Sequence, residues 1–198
     1  MKRYFQNQHG NAVALFLLLL FGAYLAARQH PVPPAGPLGP VTLLQAIAIS
    51  KKSAESWDHD ARLVYAVSTE PANTSPAQGG GWNGQRAWWN IVWFDAERGT
   101  NLIVAVRDGK AVSATEASTA YTTPINTESI RWDSPAAVMR LRRNNMIQRQ
   151  TAVHFELIGQ NQTLLRLHYR DRMGGSHMRC IDPGTGKVVV TSVRTGTR

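Results

Sequence analysis

Two sets of residues in this chain have types and spacing that could do chemistry. The first is Gly184-Thr185-Gly186-Lys187, which precedes Val188-Val189-Val190 and pairs glycines with a lysine as phosphate-binding loops do. Such a loop needs four residues between its first Gly and the Gly-Lys pair, a Ser or Thr after the Lys, and a helix to follow. Here Val188 follows the Lys and opens a β-branched run, so Ile181 to Val190 reads as a hairpin turn.

The second set comes from strand alternation near the C-terminus. If Val153, Phe155, Leu157, Leu165, Leu167 and Tyr169 face a core, then His154, Glu156, Arg166, His168, Arg170, His177 and Arg179 share the opposite face. Three histidines on one sheet are potential metal ligands. Neighbouring arginines oppose a cation, however, and no close-spaced ligand motif fixes a geometry, so no metal is expected. A solvated polar face is the first expectation, and recognition of an anion or acidic partner, which guanidinium groups on a rigid surface suit, is the alternative. Arg166, His168, Arg170, His177 and Arg179 are therefore the candidate binding residues of this part. Trp82, in a Gly-rich stretch, and Trp88, in a strand with two greasy faces, are the candidates upstream.

Nothing else resembles catalysis. Cys180 has no base fixed beside it, and alternation places it with Met178 on the core face as an inert thiol. The carboxylate pairs Asp58 and Asp60, and Asp95 and Glu97, flank a helix end and a turn, where capping is their ordinary task. No catalytic residue and no cofactor are expected.

The elements that position these groups follow from periodicity. Thr42 with Gln45 forms a capping-box pattern, and Leu43, Ile47, Ala54 and Trp57 recur at helical spacing. Strands are expected at 61–67, 87–94, 101–107 and 110–115, the middle pair joined by a five-residue loop and the last pair by Asp108-Gly109. After a Thr-rich break the order returns: a helix opening at Ser134-Pro135, then strands at 151–158, 163–170, 176–181 and 187–193. The helix starts, Thr42 and Ser134, lie 92 residues apart. The later strands lie 75 to 77 apart, so the Gly-rich segment 70–86 reads as a loop inserted in the first unit alone. The expected fold class is α+β: two tandem helix-plus-antiparallel-meander units after one N-terminal transmembrane helix. The divisions are a signal anchor over 1–30, a Pro-rich linker over 31–41, a first unit over 42–117, a second linker over 118–130 and a basic second unit over 131–198.

The anchor rests on Ala12 to Ala27, 16 uninterrupted neutral residues behind Lys2 and Arg3. They would make a helix of about 24 Å, and neither Leu25 nor Tyr24 suits the third-last position before a signal cleavage site. A retained anchor with the N-terminus inside is expected, with a removed signal peptide as the alternative. With a single cysteine the fold has no internal disulfide and must stand on packing. The chain carries a net charge of +9, and 12 of its 22 basic side chains fall in 131–198 against 4 of its 13 acidic ones. A nucleic-acid role would fit that charge but not an export signal.

Asp60-Ala61-Arg62-Leu63, the run Trp89 to Phe94, the turn Asp95 to Gly99 and Asp182 to Val188 together resemble the PepSY and PepSY-like domains of bacterial exported proteins. The likeness spans most of 42–193. It implies a noncatalytic module that binds or inhibits partners; the Gly-rich insertion and the basic second unit depart from the pattern. The expected function is a membrane-anchored periplasmic binding or accessory protein, including a subunit of an inner-membrane complex. Its expected partners are the membrane through residues 12–27 and a protein in or near it, acidic where it meets the second unit, with no nucleic acid. An inhibitor of an exported peptidase is the alternative, and a metal-binding protein using the histidine face a weaker one.

Overall fold

A computed structural model describes residues 39–69, 80–118, 120–171, 173 and 175–191. Helix α1 (Leu43–Trp57) begins as its sequence dictates: the Thr42 side chain accepts the Gln45 N–H while the Gln45 side chain accepts that of Thr42. Its buried stripe, Leu43, Ala46, Ile47, Ser50, Ala54 and Trp57, faces a sheet. Four strands follow, β1 (Arg62–Thr69), β2 (Trp88–Asp95), β3 (Thr100–Arg107) and β4 (Lys110–Ser118). A 3-10 turn (Thr127–Ser129) leads into helix α2 (Ser134–Arg143), then β5 (Val153–Gly159), β6 (Thr163–Arg170), β7 (Ser176–Ile181) and β8 (Val188–Thr191).

The expected fold class is corrected at this point. The strands do not form two meanders in separate units: all eight belong to one antiparallel sheet, in the order β4-β3-β2-β1-β5-β6-β7-β8. The join is the pairing of β1 with β5, through Tyr65 with Ile158, Ala66 with Leu157 and Val67 with Glu156. Left alone, each meander would expose the polar backbone of its first strand as an open edge; pairing the two edges satisfies both. The core is continuous across the join. Trp89, Ile91, Leu102 and Val104 of the first half, and Phe155, Leu157, Leu165 and Leu167 of the second, lie in one buried cluster with the stripes of α1 and α2. No helix among the described residues is long and apolar enough to cross a membrane, and the run 12–27 lies outside them.

Two local expectations also shift. The N-cap of α2 is Asp133 rather than Ser134, one residue earlier. Ser134 is wholly buried: its Oγ accepts the Leu43 N–H of α1 at 3.0 Å and donates to the Gly84 carbonyl at 2.6 Å, while Asp133 Oδ1 accepts the Leu44 N–H. The described part of the Gly-rich segment, 80–86, is not a detachable surface loop. Gly80 supplies the carbonyl for Val153 N–H, Arg86 is 1% exposed and exchanges two backbone hydrogen bonds with Val41, and a Cβ on Gly84 would lie 2.3 Å from Pro135. The Asp182–Lys187 stretch is a hairpin turn between β7 and β8. Asp182 Oδ1 accepts the Gly184 and Thr185 N–H groups, and Gly186, at φ +71°, lies flat against Trp132.

Trp89 is fully buried, stacks on Phe155 across the join with ring centroids 6.0 Å apart, and donates its indole N–H to the carbonyls of Val41 and Arg86. Trp89→Ala is expected to lower unfolding free energy by about 3–5 kcal/mol in urea titration, a loss shared by both halves in a single transition. Gly84→Ala, forced to φ +87° against α2, is expected to destabilise as well, whereas Gly99→Ala, which meets nothing within 4 Å, reports the cost of positive φ alone.

Candidate functional site

The sheet has two faces of different chemistry. One is covered by the helices. On the other, β5, β6 and β7 place His154, Glu156, Arg166, His168 and Arg170 together, as alternation requires. The parity of β7 is the reverse of that expected. Arg166 lies opposite Cys180 and His168 opposite Met178, so the thiol and thioether join the polar face. His177 pairs with Tyr169 and Arg179 with Leu167, which puts both on the helix-side face. The turn between β6 and β7 sets this: Arg170 pairs with Ser176, and a strand entered one residue out of step turns every side chain over.

Glu156 is the centre of the polar face. Its Oε1 accepts the Tyr65 hydroxyl at 3.0 Å, and its Oε2 lies 3.3 Å from Arg166 Nη1 and 3.2 Å from His168 Nε2. Tyr65 is held in turn by the ring of Tyr121, stacked 4.2 Å away. Tyr121 comes from the segment linking β4 to α2, and Asn101 fixes it there, its side-chain amide donating to the Tyr121 carbonyl and its oxygen accepting the Ala120 and Tyr121 N–H groups. The hydrogen bond from His168, aided by Tyr65 and Arg166 and opposed by burial, holds the Glu156 carboxyl down at about 2. Burial and the Glu156 charge push the Tyr65 phenol well up, so it stays a donor.

His154 lies beside this cluster with a different partner. Its Nδ1 is 3.0 Å from an Nη2 of Arg86, which reaches it from the buried loop. Although part of the ring is open to solvent, desolvation of its covered part first, then the charges of Arg86 and His168, lower the imidazole to about 4. A guanidinium only donates, so the neutral ring accepts at Nδ1 and carries its proton on Nε2. That tautomer presents no lone pair outward for a metal. No group of three or more His, Cys, Asp or Glu among the described residues is placed to hold a metal ion. Cys180 is buried and free, and burial raises its thiol against the opposing effect of Arg166.

The remaining candidates divide. His177 stacks on Tyr169 at 5.3 Å and meets Asp171 Oδ2 at 2.7 Å, fastening the turn between β6 and β7. Arg179 is half-buried, and its Nε and one Nη find no hydrogen-bond partner among the described residues. Arg170 is exposed at the end of β6. Trp88 is half-buried on the first half of the polar face beneath the Arg107 guanidinium, 4.9 Å from the ring centroid. Trp82 makes none of the Glu156 contacts; it is 41% exposed, with the Arg142 guanidinium of α2 over its ring at 6.0 Å.

Sequence reasoning missed Tyr65, Tyr121 and Arg86. Tyr65 was legible by alternation in its strand, but its distance from Glu156 depends on β1 meeting β5. Arg86 carries no local signal, since its partner lies 68 residues away. Comparison with protein-family models, with curated proteins and with solved structures finds no match.

The cluster has a pH signature. Unfolded His154 gains its proton near 6.5 and folded His154 near 4. Between these values the unfolded chain binds more protons, so stability is full above 6.5 and falls as pH drops towards 4. Glu156 adds stability that is present above 4.5 and lost as pH falls through about 2. Urea midpoints across this range are expected to lose their slope between pH 6.5 and 4 in His154→Gln, and below pH 4.5 in Glu156→Gln. The latter variant is also expected to lose about 1–3 kcal/mol at neutral pH, because Tyr65, Arg166 and His168 lose a charged acceptor.

Proposed function

We propose that this chain is a noncatalytic binding or accessory protein, anchored in a bacterial inner membrane and carrying its sheet domain on the outer side. The observation that supports this best is the condition of the Glu156 cluster. A general acid or base works when its pKa lies near the operating pH. Here the carboxyl sits at about 2, the neighbouring imidazole at about 4, the phenol is pushed up and the thiol is raised by burial. Each group is held in one protonation state by burial and its neighbours together. Such a network rigidifies a sheet face and fixes its shape for recognition.

The tether of this reading is the apolar run 12–27 with its preceding Lys2 and Arg3, followed by five prolines between Pro31 and Pro40. The resemblance to PepSY-like modules supports a partner-binding role on the same terms. Alkaline phosphatase fused to the C-terminus is expected to be active in intact cells, with the full chain staying in the membrane pellet through a high-salt wash. Deletion of residues 1–30, which removes the anchor and the export signal together, is expected to leave the chain in the soluble fraction with its fusion inactive. A mature N-terminus near residue 28, recovered from soluble native material, overturns the anchor; an inactive fusion overturns the outward placement.

A further inference from the structure

The strongest charge on the molecule is not where its buried network lies. Helix α2 ends in Arg140, Arg142 and Arg143, and Arg149 follows it closely; none of the four makes an ion pair with a carboxylate among the described residues. Arg140, Arg143 and Arg149 are exposed, and Met139, one helical turn before Arg143, is 51% exposed on the same helix. Arg142 leans on the ring of Trp82 and donates to the carbonyls of Trp82 and Arg149, so helix, indole and following turn form one surface. Arg140 likewise lies over Trp132, 6.0 Å from the ring centroid. Cationic groups stacked on indoles beside an exposed thioether suit a layer that is anionic at its surface and apolar just beneath.

The position of this surface points to the same layer. The described chain begins at Gly39, and Val41 is bridged by backbone to Arg86, four residues from Trp82. Gly84 packs on Pro135 at the start of α2, so the loop carrying Trp82 runs from the chain's point of entry along that helix. Only the 11 residues from Arg28 to Leu38 separate Gly39 from the end of the apolar run. Even fully extended they reach no more than about 40 Å. A domain so short of leash meets the bilayer repeatedly, and the face beside the tether meets it first.

We infer that the Arg140–Arg142–Arg143–Arg149 surface, with Trp82 and Met139, docks on the anionic phospholipid headgroups of the membrane that holds the chain. This rests on the anchored reading above for its geometry, though lipid binding by the surface itself does not. Attraction of this kind decays over about 8 Å at physiological salt and grows with each arginine near the headgroups.

The test uses the full chain with Met139→Cys carrying an environment-sensitive fluorophore, Cys180 being buried. The chain is reconstituted into vesicles of phosphatidylcholine alone or with phosphatidylglycerol, and lipid-borne nitroxide serves as quencher. Quenching is expected only with phosphatidylglycerol, reversed by about 0.5 M salt and reduced at least about tenfold in apparent lipid affinity by Arg140→Glu with Arg143→Glu. Ala96→Cys, in the β2–β3 turn at the end of β3 opposite the Asp108 turn to which Gly39 is hydrogen-bonded, is the comparison site and is expected to remain unquenched. Circular dichroism and the urea midpoint of the double variant establish that it folds. Equal quenching in both lipids, none in either, or protection of the label only by an acidic protein overturns the inference. Failure of the chain to insert counts against the anchor instead, and salt-sensitive flotation of the uninserted chain with phosphatidylglycerol vesicles would still uphold the surface.

Discussion

The pairing of β1 with β5 holds this molecule together. Only three residue pairs make the contact, yet they turn two four-stranded meanders into one sheet and bring Tyr65 to Glu156. Beyond Val67 the two strands separate, and other groups bridge the gap. Ser68 Oγ accepts the Phe155 N–H, Gly80 accepts the Val153 N–H, and the buried Arg86 reaches His154. A split sheet would ordinarily leave backbone groups unsatisfied. Here the opening is filled by the returning Gly-rich segment, which is why glycines without side chains are needed where Gly81 faces Val153 and Phe155.

Each face of the sheet then takes its character from what that junction allows. The helix-side face is a single hydrophobic layer running from Val106 to Ile181, with α1 over the first half and α2 closing the second. The opposite face is apolar and aromatic around Trp88, Val92 and Phe94, and ionic around Glu156. Tyr121 lies at the boundary, an aromatic ring stacked on a phenol that donates to a carboxylate. Both oxygens of Glu156 are engaged within the network, while Arg166 Nε has no hydrogen-bond partner among the described residues.

Much of the element pattern was legible in the sequence. The capping box at Thr42, the Asp108-Gly109 turn and the alternation of β5 and β6 are local signals, and each is found within a residue or two of its expected place. The sheet as a whole was not legible, because no local pattern states that the first strand of one meander will pair with the first strand of the other. The face of β7 failed for a related reason: alternation fixes relative positions along a strand, but the turn before it fixes the absolute parity. His177 and Arg179 left the polar face, and Met178 and Cys180 entered it, by that single step. Arg86 and Tyr121 act over separations of 68 and 56 residues, which only the folded chain brings to contact. Whether 12–27 spans a membrane lies outside the described residues.

Asp133 and Ser134 cap more than their own helix. The same carboxylate oxygen accepts the N–H of Ser134 and of Leu44, and the Ser134 hydroxyl accepts that of Leu43, so two helix N-termini are neutralised at one point 90 residues apart in sequence. A chain made from its N-terminus therefore displays α1 and β1 through β4 before either the cap or the covering edge of β5 has emerged. For that interval the first half has its greasy strands assembled and its inner edge bare, a state in which a holding chaperone has the most to protect.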